Sequence, residues 1–298
     1  MSASLAEIPV VLFAYARPEH LARTLAALRA NGIPRLIMFA DGAKGPADAP
    51  AVESARALLR AVDWCEVELV ERTENLGLGR SVLAGVESVA ARHEAFIVFE
   101  DDLVCAPGTY DWMAAALRHY RDSPSVFSVT GWTHPRVTPP GVGAAPYFDS
   151  RAESWGWGAY ARSWQGMNDA TALEKMAAAR PRGVAPDTCG ADLPEMAEVE
   201  ARDNLWAVRW LYHHLLHDGL CLRPPVSLIN HVGFDAAATN AKFADGWLNT
   251  ELAAAPPDAA LWPQPVEQPG CREKWRAAYV GKWRRRWNGL LRRAGRIF

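Results

Sequence analysis

The sequence is short of several features that would settle its class at once. Its five cysteines (Cys65, Cys105, Cys189, Cys221 and Cys271) are odd in number, widely spaced and without a CxxC pair, which argues against a zinc site or a disulfide framework. No run of 18 apolar residues is present, so no segment reads as a membrane-spanning helix. The first residues lack a basic region followed by an apolar core and a cleavage site. That pattern carries no secretory signal and makes a reducing, cytosolic location the expectation. The glycines at 77 and 79 do not continue as GxGxxG, which removes a dinucleotide fingerprint, and GxxxxGK[ST] is missing, which removes a P-loop.

What is present suits an ordinary globular protein. Half of the 298 residues are hydrophobic and 22% are charged, enough material for one large α/β domain or two small ones. The net charge of −2 hides an asymmetry. Residues 271–298 carry ten Lys or Arg against one Glu, a balance of +9 that leaves −11 on the other 270 residues. An acidic body with a basic tail suggests contact with an anionic surface.

Along the chain, apolar runs alternate with helical periodicity. Ile8–Ala14, Leu36–Ala40, Val67–Val70, Phe96–Phe99 and Ser125–Thr130 read as buried strands. Between them, Leu21, Leu25 and Leu28, the stretch Ala51–Val62, and Val82, Val86 and Val89 mark helices, the first opening at Pro18. This order predicts a Rossmann-like α/β fold, a mostly parallel sheet with helices on both faces. Residues 132–150 and 180–195, rich in Pro and Gly, read as loops. Glu198–His217 reads as one helix, with Leu205, Val208, Leu211, Tyr212 and Leu215 toward the core. Leu220–Leu222 and Val226–Ile229 read as short strands that deliver Asn230, His231 and Gly233.

Each early strand ends in polar residues: Arg17, Asp41, Glu74-Asn75, and the triplet Glu100-Asp101-Asp102. In an open α/β sheet the carboxyl ends of the strands are where ligands bind. Three adjacent acids leaving a buried strand want a cation, and a hard divalent metal shared with substrate phosphates is a natural one. A solvated acidic turn is the plainer alternative. Trp155 and Trp157, separated by Gly156, suit either a substrate groove or a core. Asp203 is compatible with a simple first-turn acid, and His213, His214 and His217 with helix-surface histidines.

The ordered set Tyr15-Ala16-Arg17-Pro18, Ala40-Asp41-Gly42, Asn75-Leu76-Gly77-Leu78-Gly79-Arg80, Glu100-Asp101-Asp102-Leu103, Ser154-Trp155-Gly156-Trp157-Gly158 and His231-Val232-Gly233-Phe234 resembles nucleotide-sugar glycosyltransferases of the A fold. The likeness is to bacterial glycan-assembly members, with a more distant similarity to the N-acetylglucosaminyltransferases that initiate complex N-glycans. It implies a catalytic domain over 1–265, with a donor half to about 131 and an acceptor half from about 132, followed by a tail over 266–298. It further implies that Asp102 ligates Mn²⁺ or Mg²⁺ on the donor diphosphate, with His231 as a second metal contact. Arg17, Asp41, Arg80, Glu100 and Asp101 then bind a nucleoside-diphosphate sugar, with UDP favoured. Asp203 would be the base of an inverting transfer, and Trp155 and Trp157 would stack on a glycan or lipid-linked acceptor. A sugar nucleotidyltransferase is the alternative enzyme, although Tyr-Ala-Arg-Pro stands where its glycine-rich signature belongs. A membrane-docked scaffold is the non-enzyme alternative, disfavoured by retention of all three acids.

The tail, 272–298, reads as one amphipathic helix. Tyr279, Val280, Trp283, Trp287, Leu290, Leu291 and Ala294 fall on one face, and Lys282, Arg285, Arg286, Arg292, Arg293 and Arg296 mostly on the other. That arrangement fits an interfacial helix on anionic lipid at the inner face of the membrane, or a helix docked on protein. Nothing in the acidic body favours nucleic acid.

Overall fold

The computed structural model describes residues 7–233, 252–258 and 262–279. Its first half follows the expected alternation: β1 (Val10–Ala14), α1 (Pro18–Ala30), β2 (Arg35–Ala40), α2 (Ala49–Arg60), β3 (Glu66–Glu71), α3 (Leu78–Ala90) and β4 (Ala95–Glu100). Then come β5 (Leu103–Cys105), α4 (Thr109–His119), β6 (Val126–Thr130), β7 (Tyr147–Asp149) and β8 (Trp157–Tyr160). The remainder is α5 (Ala161–Trp164), α6 (Ala172–Ala179), α7 (Leu193–Asp203), α8 (Trp206–Leu216), β9 (Leu220–Arg223), β10 (Ile229–His231) and α9 (Cys271–Ala278).

Eight strands form one sheet in the order β3-β2-β1-β4-β8-β6-β9-β7. β8 runs antiparallel to both β4 and β6, and β7 antiparallel to β9, while the other pairings are parallel. The fold is therefore mixed α/β with a mostly parallel sheet, and residues on both sides of 131 belong to that one sheet. Alternation along the strands divides the core. Val10, Leu12, Ile97 and Phe99 pack with residues of α1, α2 and α4, whereas Val11, Phe13, Phe96 and Val98 pack with residues of α3, α5 and α8. A smaller cluster joins α6, α7 and α8 through Met176, Leu193, Ala197, Leu211 and Tyr212.

Several expectations change. His213 and His214, read as helix-surface histidines, are buried in α8, and β7 lies within the stretch read as a loop over 132–150. The single helix over Glu198–His217 is two, broken at Asn204, which adopts φ 54°, ψ 45°. Asp203 thus ends α7 instead of sitting in a first turn. The start of the basic tail is also not a free amphipathic helix. In α9, Cys271 and Trp275 are buried, and Trp275 Nε1 donates to Asp149. Residues 280–298, with the other tail positions named above, lie outside the described residues, as does Phe234. No helix among the described residues is long and apolar enough to cross a membrane.

Candidate functional site

The carboxyl ends of β1, β2 and β4 open into a cavity of about 480 Å³, within the usual range for small-molecule sites. Tyr15, Arg17, Asp41, Lys44, Glu100, Asp101 and Asp102 line it from the strand ends and the loops that leave them. Trp155, Met196, Leu205, Trp206 and Tyr279 line it from the segment before β8, from α7 and the start of α8, and from the end of α9.

The triplet occupies the turn between β4 and β5, and its three acids have different surroundings. Asp101 accepts the Tyr15 amide at 2.9 Å, and Thr24 Oγ1 donates to its backbone carbonyl at 3.0 Å. Asp102 Oδ2 accepts from Arg17 Nη1 at 2.7 Å in a mostly buried ion pair. Asp102 Oδ1 is buried without a hydrogen-bond partner, and His231 Nε2 stands 3.6 Å from it. Burial, reinforced by the charge of Asp102, raises the carboxyls of Glu100 and Asp101 well above the ordinary range. Such crowding favours a cation.

His231 reaches this corner through the two-stranded sheet of β5 and β10, where it pairs with Leu103. Its Nδ1 accepts the Gly233 amide at 3.2 Å. Burial lowers its pKa, so the ring is neutral, and with Nδ1 accepting, its proton lies on Nε2. Nε2, 3.6 Å from Asp102 Oδ1, stands at the same corner as the carboxylate expected to hold a metal. Among the described residues no three His, Cys, Asp or Glu form a metal-binding group. What fits a divalent ion is narrower: the unpartnered Asp102 Oδ1 within an acidic cluster, in a cavity with room for a diphosphate. Mg²⁺-like ions are commonly held by one or two carboxylates and substrate phosphates, so the donor set is compatible with a metal brought by its nucleotide.

The other expected donor residues are placed differently from one another. Asp41 is buried and holds a loop: Oδ1 accepts from Gly42 N at 3.1 Å and Leu76 N at 3.0 Å, and Oδ2 from Gly77 N at 2.9 Å. Arg80 points away, its Nε donating to the Leu76 carbonyl at 2.9 Å on the exposed side of α3, and it does not line the cavity. Arg17 lines the cavity with Nη1 on Asp102, and Nη2 also donates to the Gly233 carbonyl at 3.1 Å.

The two tryptophans separate. Gly156, at φ 55°, turns the chain just before β8, and the rings end on opposite sides of the sheet. Trp155 lines the cavity, 4.9 Å from the His231 ring and edge-on to Trp132 at 5.1 Å. Trp157 has no exposed surface and packs among Phe96, Trp164, Trp206 and Trp210. The expectation that it faces an acceptor is therefore corrected: its ring is core. The strand segment leading to Trp155 is pinned by Arg223, fully buried, which pairs with Asp149 at 3.1 Å and Glu153 at 3.2 Å and donates to the Arg151 carbonyl at 2.7 Å.

Asp203 lies at the exposed end of α7, bidentate with Arg202 at 2.6 and 2.9 Å, and does not line the cavity. That hydrogen-bonded pairing holds its carboxyl below the usual range. Its neighbour Asn204 does line the cavity and was not anticipated. Asn204 Oδ1 accepts the Arg80 amide at 3.0 Å, capping the first turn of α3 from a distant part of the chain. A side chain at Gly79 would overlap the Asn204 carbonyl, which explains a glycine inside a helix. The available signal was Asn after a helical acid, since Asn tolerates the left-handed conformation that ends helices. Lys44 and Tyr279 also join the lining without a sequence signal of their own.

No family model matches the chain, and no curated protein matches it. Among solved structures, a mannosyltransferase from Pyrobaculum calidifontis in complex with GDP-Man and Mn²⁺ is similar at 14% identity and a TM-score of 0.39. The match covers 60% of this chain, which spans only 54% of that protein. A UDP-glucose pyrophosphorylase complexed with UDP-glucose is similar at 12% identity and a TM-score of 0.38, over 73% of this chain and 90% of that one. These are distant likenesses to a transferase and a nucleotidyltransferase, and the site is read from its own residues.

Proposed function

We propose that the chain is a nucleotide-sugar-dependent glycosyltransferase whose cavity holds the donor diphosphate against Asp102 and Arg17. The observation that carries this reading is the Asp102 carboxylate: at a strand end on the cavity wall, half satisfied by a guanidinium, with its other oxygen buried and unpartnered. An isolated buried charge is costly, so a site built around one expects a cationic ligand. When bound, Mn²⁺ or Mg²⁺ would stabilise the negative charge that develops on the leaving diphosphate.

The protein's own groups supply the rest. Arg17 and Lys44 offer positive charge to the phosphates on the cavity wall. Glu100 and Asp101, the neighbouring acids on the cavity wall, face sugar or ribose hydroxyls. Trp155 offers an apolar ring to a sugar beside His231, in a cavity also lined by Met196, Leu205 and Trp206. Asp203, one residue from the cavity-lining Asn204, serves as the base of an inverting transfer once it leaves Arg202, taking the acceptor hydroxyl proton. The acceptor would be a glycan or a lipid-linked sugar, with residues 280–298 supplying charge for an anionic membrane surface.

A sugar nucleotidyltransferase would place a glycine-rich phosphate loop after β1. Here that loop is Tyr15-Ala16-Arg17-Pro18. A thermal-shift panel of nucleoside diphosphates and triphosphates, with and without Mn²⁺, separates the readings. Stabilisation by a diphosphate and Mn²⁺ together is expected, and stabilisation by triphosphates alone favours the nucleotidyltransferase.

A further inference from the structure

Arg17 holds Oδ2 of the same Asp102 carboxylate whose Oδ1 suits a metal, and it is seated there by more than one contact. Nη1 donates to Asp102 Oδ2 at 2.7 Å, and Nη2 donates to the Gly233 carbonyl at 3.1 Å and meets His20 Nε2 at 3.2 Å. The backbone holds both ends of the seat. Arg17 is the N-cap of α1, its carbonyl receiving the Leu21 amide at 3.0 Å, and the Asp102 carbonyl receives the Val232 amide at 2.9 Å. A side chain at Gly233 would overlap both Asp102 Oδ2 and Arg17 Nη1, so the close approach of this pair demands glycine at that position.

The same guanidinium lines the cavity in which a diphosphate would lie. Guanidinium binds carboxylate and phosphate with the same planar fork, so it can exchange one for the other without losing its hydrogen bonds. A divalent cation on Asp102 and a guanidinium on the same carboxylate are like charges a few ångströms apart.

Building on the donor-site reading above, we infer that Arg17 and the divalent metal compete for the Asp102 carboxylate, so that the metal binds firmly only when a diphosphate draws the guanidinium away. Arg17 is then a positioning residue that makes metal and nucleotide binding interdependent. By linkage, the factor by which the nucleotide tightens the metal equals that by which the metal tightens the nucleotide.

Mn²⁺ titrations followed by electron paramagnetic resonance test this on the full chain, with and without UDP, and with GDP as a second nucleotide. The wild type should bind Mn²⁺ weakly alone and at least about tenfold more tightly with the nucleotide, the repulsion across the shared carboxylate setting the difference. Arg17→Gln should tighten nucleotide-free Mn²⁺ binding by about tenfold or more and lose most of the nucleotide dependence. Arg17→Lys, which keeps a cation, should resemble the wild type. Nucleotide-free Mn²⁺ binding in Arg17→Gln no tighter than in the wild type overturns the competition while leaving the donor site intact. A wild type that binds no Mn²⁺ with either nucleotide overturns the donor-site reading and this one with it. If Arg17→Gln does not fold, the Arg17 Nε–Hε resonance of the wild type decides. It should shift when Mg²⁺ and the nucleotide are added together, and a stationary signal refutes the exchange.

Discussion

Asn204 offers a perturbation whose parts can be separated. It does two things at once: its backbone adopts the left-handed conformation that ends α7, and its side chain accepts the Arg80 amide at the first turn of α3. Replacement by Ala removes both. A non-glycine residue without a short polar side chain loses about 1–2 kcal/mol in the left-handed region. An absent cap costs roughly 1 kcal/mol more. Asn204→Ala should therefore cost about 2–3 kcal/mol, while Asn204→Gly, which accepts the backbone, should lose only the cap and the added freedom of its unfolded chain, about 1–2 kcal/mol. Urea denaturation of the three proteins, with tryptophan fluorescence as the probe, gives the differences directly. Equal losses in Ala and Gly would remove the backbone part of the reasoning. Losses below about 0.5 kcal/mol in both would remove the cap as well, because surface substitutions without such roles fall in that range. The variants also bear on function, since Asn204 fixes Leu205 and Trp206 against the cavity.

Trp155→Ala should fold with a modest stability loss and weaken acceptor KM more than donor KM, whereas Trp157→Ala should cost about 3–5 kcal/mol, as truncation of a buried aromatic does; equal stability of the two variants would contradict their placement on opposite sides of the sheet. Asp203→Asn should lower kcat by about 10²-fold or more with donor affinity preserved, and near-normal turnover would remove Asp203 as the base. The buried His213, which contacts Lys175 Nζ through Nδ1 and the Ser163 carbonyl through Nε2, gives a pH dependence. Burial first, then the Lys175 charge, pushes its pKa down to about 4 from an ordinary 6.5. A depressed histidine contributes stability that is full above pH 6.5 and is lost as pH falls toward 4, about 3 kcal/mol in all. The raised Asp101 acts in the opposite sense, so the quantity to measure is the wild-type profile minus that of His213→Gln. A difference independent of pH between 7 and 5 would refute it.

The donor half was legible because its strands are short apolar runs and its helices carry a single apolar face. Val82, Val86 and Val89 and Leu21, Leu25 and Leu28 are buried as their spacing predicts. Other elements were hidden for physical reasons. α4 buries Tyr110, Trp112, Met113, Ala114, Ala116 and Leu117, so no polar face marks it as a helix. The break at Asn204 is masked by the apolar periodicity that resumes at Leu205. Trp155 and Trp157 share a parity along the chain, and a turn at Gly156 is enough to send them to opposite sides. Within the site, acids at a strand end could be read from the sequence. Which cation Asp102 meets could not, because it depends on how the chain enters α1 and on the space left at Gly233.

Calorimetry of UDP and GDP binding to the wild type and to Asp102→Ala, each with and without Mn²⁺, tests the central claim most directly. The account predicts that one of the two nucleotides binds the wild type in a Mn²⁺-dependent manner and that Asp102→Ala abolishes the dependence. Nucleotide affinity in the wild type that is unaffected by Mn²⁺, or unaltered by loss of the Asp102 carboxylate, would contradict it.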